Sequence, residues 1–169
     1  MANSFLMERW ISAIGRGDRN ALEKLYDAAA PAVYGIALSI LKNEADAEDV
    51  LQETFVSVLK SASGYKPQGK PMAWIITIAK NCSYKLRKSN YRYLSMDDHV
   101  HFSSNLLSPE DRLLLESCMQ QLSEEERQIV VLFAVAGCTH GQIAQMLQIT
   151  QATVRSKYHR ALKKLREAL

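Results

Sequence analysis

Helical periodicity runs through nearly the whole chain, and only four prolines and seven glycines interrupt it. Apolar residues that recur every three or four positions give a helix one buried stripe, and every strong period in this sequence is of that kind. An all-α protein is therefore expected. With 169 residues, 47% of them hydrophobic, the chain can bury a core in one domain or in two small ones.

The helix punctuation can be read directly. Asp18 is a suitable N-cap for a helix whose apolar positions are Leu22, Leu25, Tyr26 and Ala29, and Pro31 is expected to end or kink it. A second stretch, AVYGIALSIL, runs to Leu41, and Asn43 can cap the next helix. That helix opens with DAEDVLQETF, which places Asp46, Glu48, Asp49 and Glu53 in ten residues of a chain whose net charge is +3. An inward stripe of Ala47, Val50, Leu51, Thr54, Val58 and Leu59 leaves Asp49, Gln52 and Glu53 together on the outer face. Taken alone, the acids read as a solvated face favoured by the helix dipole. A metal-assisted nuclease built on Asp46, Asp49 and Glu53 lacks converging ligands and any metal-loop spacing.

Beyond a turn-rich stretch at 63–71, MAWIITIAKNCSYKLRK puts Ile75, Ile78, Ala79, Cys82 and Leu86 on one face. The opposite side is basic: five Lys or Arg and no acid lie between Lys80 and Arg92. Residues 89–107 lose the helical period and read as a linker. Ser108 with Pro109 restarts helix, and Ser123 with Glu126 forms a capping box before the apolar run from Ile129. The organisation expected is a first domain at 1–92, a linker at 93–107 and a second domain at 108–169.

The last segment has helix-turn-helix anatomy. Ile143, Ala144 and Leu147 face inward, the turn falls near Gln148, and Thr150 caps a final helix with core positions Val154, Tyr158, Ala161 and Leu165. From Gln151 onward there are six Lys or Arg against one acid, Glu167. A helix of this size fits the major groove, where Arg can bond guanine edges and Lys can neutralise phosphates. Arg155, Ser156, His159, Arg160 and Lys163 lie outward, with Thr153 at the groove-entering end; Lys163 and Lys164 are expected as phosphate anchors or solvent-facing groups, and the bland alternative is that Arg155 and Arg160 are merely solvated or paired with Glu124, Glu125 or Glu126.

Cys82, Cys118 and Cys138 are an odd set without a close pair, which fits neither a disulfide framework nor a zinc site and points to a reducing cytoplasm. His99, His101 and His140 are expected on surfaces, and no metal or cofactor pattern is present. The N-terminus lacks a signal-peptide pattern, and the longest apolar run is too short to span a bilayer.

Together, DAEDVLQETF, AWIITIAKN and LSEEERQIVVLFAVAGCTHGQIAQMLQITQATVRSKYHRALKKLRE resemble an extracytoplasmic-function, group IV, sigma factor of the sigma-70 family. The resemblance covers nearly the whole chain. It implies a non-enzymatic transcription initiator with a region 2 helical bundle and a region 4 helix-turn-helix. By that resemblance, Asp46, Asp49, Gln52 and Glu53 would dock on the clamp helices of the polymerase largest subunit, and region 4 would contact the polymerase flap. Lys80, Asn81, Tyr84, Lys85 and Lys88 would contact the unpaired minus-ten strand, and loop 64–71 would help hold a flipped base. Thr153, Arg155, Ser156, His159, Arg160 and Lys163 would contact the minus-thirty-five element. The linker, with Asp97 and Asp98, would thread toward the polymerase active-site and RNA-exit channels. An anti-sigma partner is also implied. The runner-up is a helix-turn-helix regulator that binds DNA without joining polymerase. Departures from the family pattern are Gln142 for Glu, a neighbouring Gly141, Gln148 for Gly in the turn, and Leu122-Ser123 for Leu-Pro.

Overall fold

The computed structural model describes residues 4–90 and 119–168. The expected linker, the helix restart at Ser108, and Cys118, His99 and His101 lie outside the described residues. Within them all regular structure is helical: α1 (Ser4–Ile14), α2 (Arg19–Leu41), α3 (Glu44–Ser61), a 3-10 turn (Ala62–Gly64), α4 (Pro71–Asn90), α5 (Glu124–Ala134), α6 (His140–Leu147) and α7 (Gln151–Ala168).

The caps form where the sequence provides them. Asp18 Oδ1 accepts from the backbone N–H groups of Asn20 and Ala21, and Asn43 Oδ1 accepts from that of Asp46. Pro31 does not end a helix. Residues 19–41 form one helix through it, with Ala29, Ala32, Val33 and Ile36 buried around an exposed proline ring. A mid-helix proline costs about 3 kcal/mol, but burying each large aliphatic side chain of this helix returns about 1.5–3 kcal/mol. Leu25, Val33 and Ile36 are all fully buried.

Helix α2 is the spine. Its buried face meets Ile11 of α1, Val58 of α3, and Ile75 and Ile76 of α4 in one continuous core. Five expected core positions shift outward, and others replace them. Phe55 is buried while Leu59 is 50% exposed; Tyr26, 40% exposed, leans on Phe55 with ring centroids 4.7 Å apart. On α4, Ile76 and Ser83 are buried whereas Ile78, Cys82 and Leu86 are half-buried. The core contacts more than one neighbour helix, so its footprint on α3 and α4 is wider and rotated relative to a single stripe.

Helices α5 to α7 close around Ile129, Leu132, Ile143, Val154 and Ala161. Ser123 and Glu126 form the expected capping box. Gln142 completes a second one, its side chain accepting from the Thr139 backbone N–H while Thr139 Oγ1 accepts from the Gln142 N–H. Gln therefore serves where Glu is common, because only an acceptor oxygen is needed. Gln148 closes α6 in the left-handed region at φ 56°, a conformation that costs a non-glycine residue roughly 1–2 kcal/mol. His140 is not a plain surface residue: it is half-buried and stacks on Phe133, centroids 4.9 Å apart, and Tyr158 completes a three-ring cluster at 4.6 Å from Phe133 and 5.5 Å from His140.

The two helical groups meet along α2 and α5. Gly35 faces Val131, and the buried Arg127 guanidinium donates from Nε to the Ser39 carbonyl at 3.2 Å and from Nη1 to the Leu122 carbonyl at 2.5 Å. Burying a guanidinium is tolerable only when its N–H groups are satisfied, and here backbone carbonyls on both sides of the contact do so.

Candidate polymerase and DNA interfaces

The N-terminal cap and the inward Ala47, Val50, Thr54 and Val58 fix the rotation of α3, so Asp49, Gln52 and Glu53 are exposed together and Asp46 is half-buried in the first turn. Val56 and Leu59 share the outer side with them, one and two turns beyond Gln52, both large apolar groups left in solvent. The face is therefore mixed, with acids beside an apolar strip. That composition suits a protein partner carrying basic and apolar groups better than it suits water.

The expected minus-ten residues on α4 divide into two sets. Asn81, Lys85 and Lys88 are exposed and align at i, i+4 and i+7. Lys80 and Tyr84 are half-buried and turn toward the start of α5. Tyr84 Oη donates to Glu124 Oε1 at 3.0 Å, and Arg87 Nη1 donates to Glu124 Oε2 at 2.7 Å while its guanidinium lies 4.9 Å over the Tyr84 ring. Burial pushes the Lys80 ammonium below its ordinary value, and Glu124 and Glu125 partly restore it. Arg87 was not among the expected contacts; it joins this set through its position three residues after Tyr84. An open cleft of about 690 Å³ runs beside Trp74, Asn81 and Tyr84, walled by loop 65–70 on one side and by Gln145–Gln148 of α6 on the other. Lys70 Nζ bridges it to Gln145 Oε1 at 2.7 Å.

On α7, Val154 and Ala161 are fully buried and Tyr158 and Leu165 half-buried, so Arg155, Ser156, His159, Arg160 and Lys163 are exposed on the opposite side. Thr150 Oγ1 accepts from the Thr153 backbone N–H at 3.1 Å and lies 2.8 Å from the Thr153 hydroxyl. Thr153 is thus half-buried and engaged in the cap. The acids at the start of α5 pair with other residues than Arg155 and Arg160: Glu124 with Arg87, Glu125 with Lys157 at 2.6 Å and Glu126 with Lys164 at 2.7 Å. Lys164 is therefore tied to α5 and is not a plain solvent group. Lys163 stays exposed, with a loose 3.7 Å contact to Glu167. Burial alone would raise the Glu126 carboxyl, but the Lys164 hydrogen bond and the Ser123 backbone N–H hold it below the usual range. Among the described residues no group of three or more His, Cys, Asp or Glu could hold a metal ion, and no helix is long and apolar enough to cross a membrane.

Residues 25–93 match the family model for sigma-70 region 2, and residues 112–165 match that for sigma-70 region 4. The chain is 35% identical to RNA polymerase sigma factor CarQ of Myxococcus xanthus over 90% of this chain and 91% of that protein. The chain belongs to the extracytoplasmic-function sigma factors. An ECF sigma factor named SigK, of Mycobacterium ulcerans, is 29% identical over 92% of this chain and 89% of its own. Two solved structures share the fold. CnrH in complex with the cytosolic domain of CnrY has a TM-score of 0.70 at 23% identity, covering 96% of both chains. RpoE in complex with the anti-sigma factor NepR from Bartonella quintana has a TM-score of 0.71 at 20% identity, covering 86% of this chain and 94% of its own. As a sigma factor, the protein binds core RNA polymerase and directs promoter recognition, DNA opening and initiation; sigma factors are non-enzymatic regulators. A stand-alone helix-turn-helix regulator would account for the region 4 match alone and leaves 25–93 unexplained.

Three features of the sigma factor's surface escaped sequence reasoning: the apolar Val56–Leu59 strip, the Glu124 contact to Tyr84 and Arg87, and the contacts Glu8 makes with loop 65–70. The first needed the rotation of α3 that packing sets, and the last two join residues that no local period connects, across 40 and 60 positions of sequence.

Proposed function

We propose that the sigma factor divides its work among three helices: the outer face of α3 docks on polymerase, α4 takes the unpaired minus-ten strand, and α7 reads the minus-thirty-five element. The observation that carries this reading is the segregation of charge on rigid helices. Asp49, Gln52 and Glu53 are exposed on α3, whereas the exposed basic residues Lys85 and Lys88 lie on α4, and Arg155, Arg160 and Lys163 on α7. An acid face repels phosphates and suits the basic clamp helices of the largest subunit; the two basic faces do the reverse. Asp46, nearer the cap, supports the same docking face, and the flap takes region 4. Within α4, Asn81 can bond a base edge and Tyr84 can stack on one, with Lys80, Lys85 and Lys88 along the backbone; loop 65–70 completes the cleft. Within α7, Arg155, Ser156, His159 and Arg160 read bases and adjoining phosphates, Lys163 anchors, and Thr153 fixes the helix start.

The domain division that goes with this is 1–92 and 108–169, joined by 93–107. The working compartment is the cytoplasm, where polymerase and promoter DNA are, and the chain itself catalyses nothing because the polymerase does the chemistry. An anti-sigma factor that covers the polymerase-binding surfaces is the regulatory partner. The test is in vitro transcription with core polymerase on candidate promoters, with permanganate footprinting of the minus-ten region. Initiation that survives Asn81→Ala with unchanged opening, or that is indifferent to reversal of Asp49 and Glu53, would remove the corresponding assignment.

A further inference from the structure

Loop 65–70 forms one wall of the cleft beside α4, and on its own it has little reason to hold a shape. Its residues from Lys66 to Lys70 are exposed, Gly69 sits at φ 71°, and ordering each backbone residue costs about 1–2 kcal/mol. One carboxylate gathers it. Glu8 Oε1, from α1, accepts from the Gln68 backbone N–H at 2.9 Å, from the Gly69 backbone N–H at 2.6 Å, and from Tyr65 Oη at 3.3 Å. Successive backbone N–H groups that converge on an anion make a nest, and here the anion is the protein's own side chain. The anchor stands on a packed helix: Met7, Ile11 and Ile14 bury the neighbouring face of α1 in the core.

The held loop reaches the cleft through Tyr65, whose ring packs on Trp74 with centroids 4.7 Å apart. Burial and the adjacent Glu8 carboxylate push the Tyr65 phenol up to about 12, so it stays a hydrogen-bond donor at working pH. Glu8 lies ahead of both matched family regions, 25–93 and 112–165, and no DNA-facing role falls to it by resemblance.

We infer that Glu8 is a positioning residue for base selection: by clasping the backbone of loop 65–69 from α1 it fixes one wall of the α4 cleft, and so sets the preference for one unpaired nucleobase of the minus-ten strand. The inference rests on the assignment of α4 to that strand. Glu8 touches no DNA. It acts through the loop, so its loss blurs discrimination at one position without removing the phosphate and stacking contacts of α4.

The test uses holoenzyme assembled from the full chain and core polymerase, bound to fork-junction DNA with randomised minus-ten bases, and sequences the bound fraction. Glu8→Ala is expected to keep affinity for core polymerase and total DNA binding within about twofold, while the spread between best and worst base at one position shrinks about tenfold, as loss of charge-assisted hydrogen bonds warrants. Glu8→Gln keeps an acceptor oxygen and should retain most of that spread. Glu8→Asp is too short to reach the loop and should behave as Glu8→Ala, and it replaces that variant should Glu8→Ala not fold. Unchanged spread, or an equal loss at every position, in the Ala and Asp variants overturns the inference. Asn81→Ala is the control: if it erases minus-ten preference while the Glu8 variants keep it, only the role of Glu8 fails. If Asn81→Ala also leaves every preference intact, the assignment of α4 fails and takes the inference with it.

Discussion

Gly35 is where the two helical groups are most sensitive to a single atom. A Cβ at this position would lie 2.7 Å from Val131 Cγ1, with Cγ2 at 3.5 Å and Cβ at 3.8 Å. Carbon atoms in favourable contact sit about 3.5–4.0 Å apart, so the wall must retreat by about 1 Å. Val131 is poorly able to do this by rotation, since a helical valine has one strongly preferred χ1. Gly35→Leu should therefore act as a wedge. Inside α2 the change is favourable, because leucine is a better helix former than glycine by somewhat less than 1 kcal/mol. Across the contact it is overpacking, which costs about 1–3 kcal/mol, or a shift of roughly 5- to 150-fold toward separated groups. Small-angle scattering is the assay. A compact chain of 169 residues should have a radius of gyration of roughly 15 Å, and the variant should exceed the wild type. Separation also releases Tyr84 and Arg87 from Glu124, so affinity of the free protein for a single-stranded minus-ten oligonucleotide should rise with it. A Gly35→Leu protein that melts no lower than wild type yet keeps the wild-type radius and oligonucleotide affinity would refute the reasoning.

Reversal of Asp49 and Glu53 to lysine should weaken core-polymerase binding in a competition assay while the melting midpoint stays nearly constant, because exposed charges contribute within about 0.5 kcal/mol to folding; unchanged affinity would sink the docking face. Arg155→Ala should cost about 1–3 kcal/mol and relax preference at one minus-thirty-five position, whereas Lys163→Ala should weaken all sequences alike and lower the salt slope by about one; the same uniform loss in both would end the division into reader and anchor. The Glu126 carboxyl is depressed in the folded protein, so its contribution is present above the ordinary carboxylate value and lost as pH falls through the lower folded one. Glu126→Gln should accordingly flatten the acid limb of a stability–pH profile and leave little change below it; an unaltered acid limb would contradict this.

Much of this was legible because the relevant physics is local. A carboxylate, amide or hydroxyl oxygen on the residue just before a helix caps it whatever surrounds it, so Asp18, Asn43 and Ser123 could be read off the chain, as could the helix-turn-helix with its fully buried Val154 and Ala161. The outward triad on α3 and the exposed row on α7 follow from the same 3.6-residue geometry once the apolar stripe is known. Pro31 failed as a stop signal because the penalty for a proline is local and the reward for continuing α2 is not: it comes from side chains on α1, α3 and α4.

What tertiary structure alone decided is which surfaces face one another. Leu59 is apolar and at helical spacing, yet it stays in solvent because the core's footprint on α3 runs along Ala47, Val50, Thr54 and Val58 and reaches no further round the helix than Phe55. Lys164 belongs to a basic run but is bound to Glu126, and Tyr84 and Arg87 belong to the helix proposed to face DNA but are held by Glu124. Glu8 shows no signal in its own neighbourhood, and its meaning comes from two backbone N–H groups 60 and 61 residues away. Periodicity reports how a helix is rotated about its own axis. It carries no information on where the next helix lies, and that placement is fixed by the packing of several faces at once.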